Sequence, residues 1–339
     1  MANIGIIGAG ISGLSVAARL TGLGHHCTVF EKSRGLGGRL ARRKLPWGQL
    51  DIGAPFLTPT LEETHDRLAH FCRAGILSRG RLQRARLVSG TLYEAPAIKA
   101  YWANHSNNEI CHALAETVKV IRQRRIAAIA ASANGIIHLS DDQGGSCGDF
   151  DAVILSAPAP QTLALLPETS TLRGQDFPEM QPGWTVTLQF EEALGLFNHQ
   201  QVIDFTADEP LVRGVDLATL RQGEPLHCYQ FQLSAPFSQL CRNGNEAQTV
   251  EAVMAALARH SALPPLANAT VQPWNLCRLE KPGPALNILD SAHNLVLCGD
   301  WTAGDSGIDA ALTSAERAVD AVTRLLERQR ELPPPLYSP

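Results

Sequence analysis

The most specific chemistry in this sequence lies near its start. The apolar run Ile4-Gly5-Ile6-Ile7 leads into Gly8-Ala9-Gly10-Ile11-Ser12-Gly13, three glycines at G-x-G-x-x-G spacing. The glycines differ in what they allow. Gly8 permits a tight turn, Gly10 lets backbone approach a pyrophosphate, and Gly13 lets a helix pack close to a strand. A helix opening at Ile11 and Ser12 offers free N–H groups and positive partial charge to phosphates. Leu14, Val16, Ala17, Ala18 and Leu20 give that helix an apolar face. Cys27-Thr28-Val29-Phe30 then reads as a second strand delivering Glu31, eighteen residues after the third glycine. Glu31 can accept both hydroxyls of a ribose, and its charge repels a ribose 2′-phosphate. The glycines alone are a weak signal, compatible with a turn that binds nothing; in strand–turn–helix–strand–acid order they are a strong one.

Directly after the acid comes Lys32-Ser33-Arg34-Gly35-Leu36-Gly37-Gly38-Arg39. A nicotinamide-binding domain continues into another β-α unit here, and this chain does not. Gly37 and Gly38 let the backbone pass close to a second side of the phosphates, and Arg39 can pair with them. Lys32 and Arg34 belong to the same candidate set. The combination resembles the flavin amine oxidase superfamily, whose first motif is followed by a G-G-R element, and that resemblance implies FAD rather than NAD. Further cofactor-binding candidates are Asp51, Gly53 and Ala54 in Leu50-Asp51-Ile52-Gly53-Ala54, then Ala157, Gly299, Asp300, Gly307 and Ile308. Asp300 at a strand end can hold a ribityl hydroxyl. The helix starting near Gly307 would aim its positive end at the flavin edge where negative charge builds on reduction. The plainer reading of that segment is an ordinary final β-α unit.

The resemblance narrows to a bacterial renalase-type flavoprotein, over Ile4 to Thr58 through Phe30 to Arg39 and Leu50 to Ala54, then at Asp151 to Pro160 and at Val296 to Asp300 with the helix beyond. Pro182-Gly183-Trp184 and Trp274 with Arg278 match less closely, and Leu61 to Ala115 aligns poorly. It implies non-covalent FAD, a two-domain fold and oxidation of a small reduced substrate. In renalases that substrate is a dihydronicotinamide isomer, and oxygen becomes hydrogen peroxide. Hydride transfer to flavin N5 of this kind needs positioning more than a side-chain nucleophile. Three departures touch the substrate rather than the cofactor: Pro55-Phe56-Leu57 replaces a glutamine and aromatic pair, extra residues separate Arg278 from Pro282, and Gln232 replaces a histidine. An isomerase cycling through reduced flavin, or a catalytically idle FAD-containing protein, remain alternatives of other classes.

For the substrate pocket the candidates are Trp184, Tyr229, Trp274 and Trp301, whose planes can sandwich a flat molecule against a flavin ring. Each is equally readable as a core aromatic. Arg278 can bind an anionic group or sit in a surface ion pair, and His227 is either a proton shuttle or a satisfied strand histidine. Amine oxidases supply two contrasts, a lysine near N5 and a cysteine that bonds the flavin. The loop Trp301-Thr302-Ala303-Gly304 holds no cysteine, and Lys281 is the only lysine of the C-terminal half. Arg122, Arg124 and Arg125 read as a solvated face.

The elements that position these groups follow from length and pattern. A chain of 339 residues exceeds one ordinary core, so two domains are expected. The expected fold is α/β: a Rossmann-like FAD-binding domain with parallel sheet and β-meander, from residues 1–60, 106–160 and 290–330. An α+β substrate domain on an antiparallel sheet takes 61–105 and 161–289, and 331–339 is a loose tail. Helices are expected over 60–74, 106–119, 246–260 and 308–327. Strands are expected over 118–121, 126–130, 135–140, 150–156, 184–191, 201–205, 227–234, 274–278 and 294–300, with a hairpin at Ser89-Gly90.

Composition bounds the rest. A net charge of −4 argues against a nucleic-acid partner, and no apolar run approaches membrane-spanning length. Eight cysteines without C-x-x-C or ligand-like spacing indicate a reducing compartment and no metal site. Expected partners are a small-molecule substrate and oxygen; the location is cytoplasmic, and the state a monomer or homodimer.

Overall fold

The computed structural model describes residues 1–132, 135–206, 209–220 and 225–331. The chain divides into two compact units, and each is interleaved along the sequence. The first comprises Met1–Leu36, Cys111–Glu179 and the chain from Leu279 on; the second comprises Gly37–Ile110 and Met180–Arg278.

The first unit is built on a six-stranded sheet. Its order is Leu289–Asp290, Leu295–Leu297, Ala152–Leu155, Asn3–Ile7, His26–Glu31 and Lys119–Arg122. All neighbours pair in parallel except the Leu289–Asp290 edge strand. Strands of a parallel sheet are buried on both faces, which explains why Ile4, Ile6, Val153, Ile154, Leu295, Val296 and Leu297 form unbroken apolar runs. Ile11–Gly22 and the C-terminal helix Ile308–Glu331 pack together in this unit. A separate antiparallel sheet holds Ile126–Ala131, Ile137–Asp141 and Ser146–Phe150.

That arrangement corrects the expected continuous meander over 118–156. Its two ends are strands of the parallel sheet, and only the middle folds back on itself. Ser146–Phe150 was not expected as a strand; Gly148, at φ +105°, and a bulge beside it interrupt the alternation that would have marked it.

The second unit contains a seven-stranded sheet in the order Leu266–Gln272, Thr185–Phe190, Cys228–Leu233, Leu211–Asp216, Val202–Phe205, Leu77–Val88 and Thr91–Ala103. It is antiparallel except where Val202–Phe205 runs parallel to Leu77–Val88. One face carries Val186, Leu188, Ile203, Tyr229, Phe231 and Leu233, packed with Val250, Val253 and Leu257 of the helix Glu246–Ala258. The other carries Val202 and Val215, packed with Leu50 and Phe56. The hairpin at Ser89-Gly90 is present and longer than expected.

Several boundaries moved for identifiable reasons. The expected helix over 106–119 is confined to Glu109–Ala115, because Ser106 Oγ and the Asn107 N–H both donate to the buried Asp51 carboxylate, at 2.5 and 3.1 Å. No strand spans 274–278: the Trp274 indole N–H turns to the Ile52 carbonyl, at 3.1 Å. Leu211–Asp216 was hidden by Arg213 and Gly214, and Leu266–Gln272 by its alanines and asparagine. The second unit begins at Gly37 rather than 61, because Gln230 and Thr185 donate to the Asp51 and Ile52 carbonyls at 2.7 Å and tie this segment to the seven-stranded sheet. Glu331 closes the last helix, and the rest of the expected tail lies outside the described residues. Among the described residues, no helix is long and apolar enough to cross a membrane.

Asp290 closes one end of the parallel sheet's edge. It accepts Ser170 Oγ at 2.6 Å and His293 Nδ1 at 2.9 Å while 1 % exposed. Burial pushes its carboxyl up, but the Ser170 and His293 hydrogen bonds outweigh this and hold it below the ordinary aspartate value. A depressed folded pKa means that the stabilisation is present above the unfolded value, about pH 4, and is lost as acid titrates the group. Asp290→Ala should therefore cost about 1–3 kcal/mol at neutral pH, with the deficit shrinking below about pH 4, in urea denaturation followed by circular dichroism.

Candidate functional site

Four parallel strands of the first unit end side by side, and nearly every glycine and acid singled out in that unit sits at those ends. Asn3–Ile7 runs into Gly8, His26–Glu31 ends on Glu31, Ala152–Leu155 leads to Ala157, and Leu295–Leu297 leads to Gly299 and Asp300. Ligands of open α/β sheets bind at this carboxyl edge.

The turn after the first strand is tightly specified. Gly8 adopts φ +112°, and its N–H donates to the Phe30 carbonyl at 2.9 Å. A Cβ on Gly13 would lie 2.2 Å from the Gly8 carbonyl oxygen and 3.1 Å from Ser156 Cβ, so helix and strand can approach only with glycine there. A Cβ on Gly10 would meet nothing within 4 Å. The helix behind it has no side-chain cap and no acid in its first turn, which leaves the N–H groups of its first turn directed at open space.

Glu31 is 8 % exposed; its two oxygens accept the N–H of Ala9 at 2.9 Å and of Ser33 at 2.7 Å. A carboxylate has about four acceptor positions, so roughly two remain for ribose hydroxyls. The N–H groups of Ala9 and Ser33, and the nearby Ser156, are participants that residue type could not reveal, because two act through backbone and one through bulk. Lys32 donates to Gln161 Oε1 at 3.2 Å, and the Arg34 carbonyl accepts from Arg122 at 3.3 Å. Burial, with the neighbouring Arg125 charge, lowers the Lys32 ammonium below its usual range.

At the fourth strand, Gly299 takes φ +123°, and the Asp300 carboxylate, 1 % exposed, accepts the N–H groups of Trp301 and Gly307, at 3.0 and 3.2 Å. Gly307, at φ +118°, and Ile308 open the last helix, whose first turn carries Asp309. That acid offsets part of the positive helix end expected there. Trp301 is 1 % exposed; its indole donates to the Ala157 carbonyl at 3.0 Å and its ring lies 5.3 Å from Phe177. In this structure it braces the loop.

Two observations test whether the first unit suits a dinucleotide: a glycine cradle with room only where a phosphate would pass, and a buried acid with acceptor capacity left. Both fit.

In the second unit, Gly37 and Gly38 adopt φ +114° and +54°. Ala54 N–H donates to the Arg39 carbonyl at 2.9 Å, and a Cβ on Gly53 would come within 2.0 Å of that oxygen. Thus Gly37, Gly38, Arg39, Gly53 and Ala54 form one knot. The Arg39 guanidinium donates to the Cys277 carbonyl at 2.6 Å. Asp51 is 1 % exposed and holds Ser106 and Asn107. Trp184 donates to Asn275 Oδ1 at 3.3 Å, and Trp274, half-buried, donates to Ile52. Arg278 is half-buried with an Nε that has no hydrogen-bond partner. Tyr229 departs from the expected pocket wall. It lies between Phe190 and Phe197 on the helix-covered face, and its hydroxyl accepts the Leu194 N–H at 3.0 Å, because apolar neighbours on both sides make it a core residue.

With this geometry in hand, comparison with known proteins is informative. Residues 6–74 match the NAD(P)-binding Rossmann-like domain family. A stretch of 50 residues is 44 % identical to a 4,4′-diapophytoene desaturase of Staphylococcus haemolyticus; it covers 15 % of this chain and spans 10 % of that protein's length. Over nearly the whole chain the backbone superposes on a protein assigned as a protoporphyrinogen oxidase from Exiguobacterium sp. 255-15, with a TM-score of 0.74 at 14 % identity, covering 97 % and 99 % of the two chains. Cyclohexylamine oxidase from Brevibacterium oxydans gives 0.72 at 13 % identity, covering 96 % and 100 %. The fold is the one these solved oxidases share. These likenesses carry the architecture, and the family match spans the glycine loop and Glu31.

The glycine loop yields a paired prediction. Gly10→Ala, with φ −76° and open space for its methyl, should leave the melting temperature of the cofactor-free protein unchanged and weaken dinucleotide binding roughly tenfold or more. Gly13→Ala should lower both. Thermal denaturation and equilibrium dialysis separate the two effects.

Proposed function

We propose that the protein is an FAD-dependent oxidoreductase that binds its cofactor non-covalently and oxidises a small reduced molecule, with oxygen as electron acceptor. The observation that carries this reading is the convergence of the glycine loop, Glu31, Ala157 and Asp300 at the ends of four adjacent parallel strands. When bound, FAD supplies the hydride-accepting N5 of its ring system.

The chain's own residues divide the work of holding it. N–H groups at the start of the Ile11–Gly22 helix take the pyrophosphate, the free acceptor positions of Glu31 take the adenosine ribose, and Asp300 takes a ribityl hydroxyl. Arg34 and Lys32 add positive charge, and Gly37 to Arg39 are assigned to the cofactor by the motif resemblance alone. Non-covalent binding is supported by the loop Trp301 to Gly304, which lacks a cysteine, and by the burial of Cys298 just before it. Cys298 is fully buried, and that burial raises its thiol to about 11, which keeps it protonated and unreactive near neutrality.

The finer reading is renalase-like: a dihydronicotinamide isomer or an amine-like molecule gives up hydride, and hydrogen peroxide is released. It is supported by the motif resemblance through Phe30 to Arg39 and Val296 to Asp300. Trp274 remains an aromatic wall candidate, Trp184 is buried in the same core cluster as Tyr229, and Arg278 retains an unpaired Nε. No cysteine or lysine is called on for chemistry.

Mixing the purified, FAD-loaded protein anaerobically with dihydronicotinamide isomers and with amines tests this. The expected outcome is bleaching of the flavin band at about 450 nm by one class, followed by peroxide release when air is admitted. Turnover without oxygen consumption would indicate an isomerase, and a flavin that nothing reduces would contradict the proposal.

A further inference from the structure

We propose that the second unit holds a binding site for a carboxylate-bearing ligand, centred on Arg213 and Gln232. The inference goes beyond the oxidoreductase reading above and stands on the geometry of one sheet.

Strand pairing places a single polar row across all seven strands. Tyr93 pairs with Arg86, Arg86 with Asp204, Asp204 with Arg213, Arg213 with Gln232, Gln232 with Thr185, and Thr185 with Gln272. Residues opposite one another share a face, so this row lies on the same side as Val202 and Val215. That side is packed by Leu50 and Phe56, the segment bearing Ile52, Gly53 and Ala54.

Its centre is strongly cationic. Asp204 accepts Arg213 Nε at 2.6 Å on one oxygen and Arg84 Nε at 2.5 Å on the other, with a second contact from the Arg84 guanidinium. Arg86, exposed, is the register partner of Asp204 on the neighbouring strand, so three arginines and one aspartate share this part of the face within a chain whose net charge is −4. Asp204 is spent on holding the two arginines in place. Arg213 binds it through Nε alone. The outer edge of Arg213, with its two terminal nitrogens, makes no hydrogen bond among the described residues, and neither does the side-chain amide of Gln232. The Arg213 side chain is 33 % exposed, and its guanidinium lies over the Phe56 ring, 5.9 Å from the centroid.

This is the arrangement that recognises a carboxylate. A planar guanidinium fixed by a half-buried acid presents two parallel N–H donors, and desolvation by an aromatic ring strengthens the pairing. Gln232 stands beside it as a neutral donor. The histidine that the renalase pattern carries in its place would titrate near neutrality, whereas an amide leaves the site's charge constant across that range.

Isothermal calorimetry of the FAD-loaded protein with benzoate, methyl benzoate and benzyl alcohol tests the site without needing turnover. Wild type is expected to bind benzoate at least tenfold tighter than either neutral analogue. Arg213→Gln should remove that difference, and Arg213→Lys should restore part of it. Equal affinity for all three ligands, no benzoate binding, or unchanged benzoate affinity in a folded Arg213→Gln would each overturn the proposal. The wild-type ligand series decides the matter even if the glutamine variant does not fold. Charge-selective binding by protein that takes up no flavin would refute the oxidoreductase reading while leaving the anion site standing.

Discussion

The structure of the first unit depends on one close approach. The Gly8 carbonyl oxygen stands where a Cβ on Gly13 would be, and Ser156 closes the other side. Any larger residue at Gly13 would push the helix off the strand end and disturb the turn whose Ala9 N–H meets Glu31. The open space over Gly10 exists because that contact is so tight. A phosphate-sized site is made here by missing side chains as much as by present ones.

Acids support this backbone geometry. Glu31 and Asp300 both accept backbone N–H groups of the turns they face, which orders the loops, and Glu31 keeps acceptor capacity beyond those two bonds. Asp51 is placed comparably in sequence, at the end of a short strand, but its oxygens hold Ser106 and Asn107. Three carboxylates at strand ends thus serve different ends, and the difference lies in what each one's neighbours demand.

The dinucleotide half was legible because its requirements are local. Three glycines, a helix face, a strand and an acid fall within a single stretch, and each is set by backbone contacts that residue type announces. The six-stranded sheet was legible in its buried strands for the same reason. The second unit was less so. Leu211–Asp216 contains a charged side chain and a glycine against which Phe231 and Phe197 pack, two features that weaken a strand pattern. Tyr229 looked available for a flat ligand, and only tertiary packing between Phe190 and Phe197 shows it as core. The Arg84–Asp204–Arg213 group could not be found from spacing, since Arg84 lies 120 residues before Asp204 and joins Asp204 and Arg213 only through sheet register.

The central claim is that the strand ends of the first unit hold FAD. The most direct measurement is the nucleotide content of the purified protein, released by heat and identified by chromatography. The account predicts FAD at a stoichiometry of about one per chain, freed without proteolysis because no thiol bonds it. Protein that carries no FAD and takes none up, or that binds NAD in its place, would contradict it.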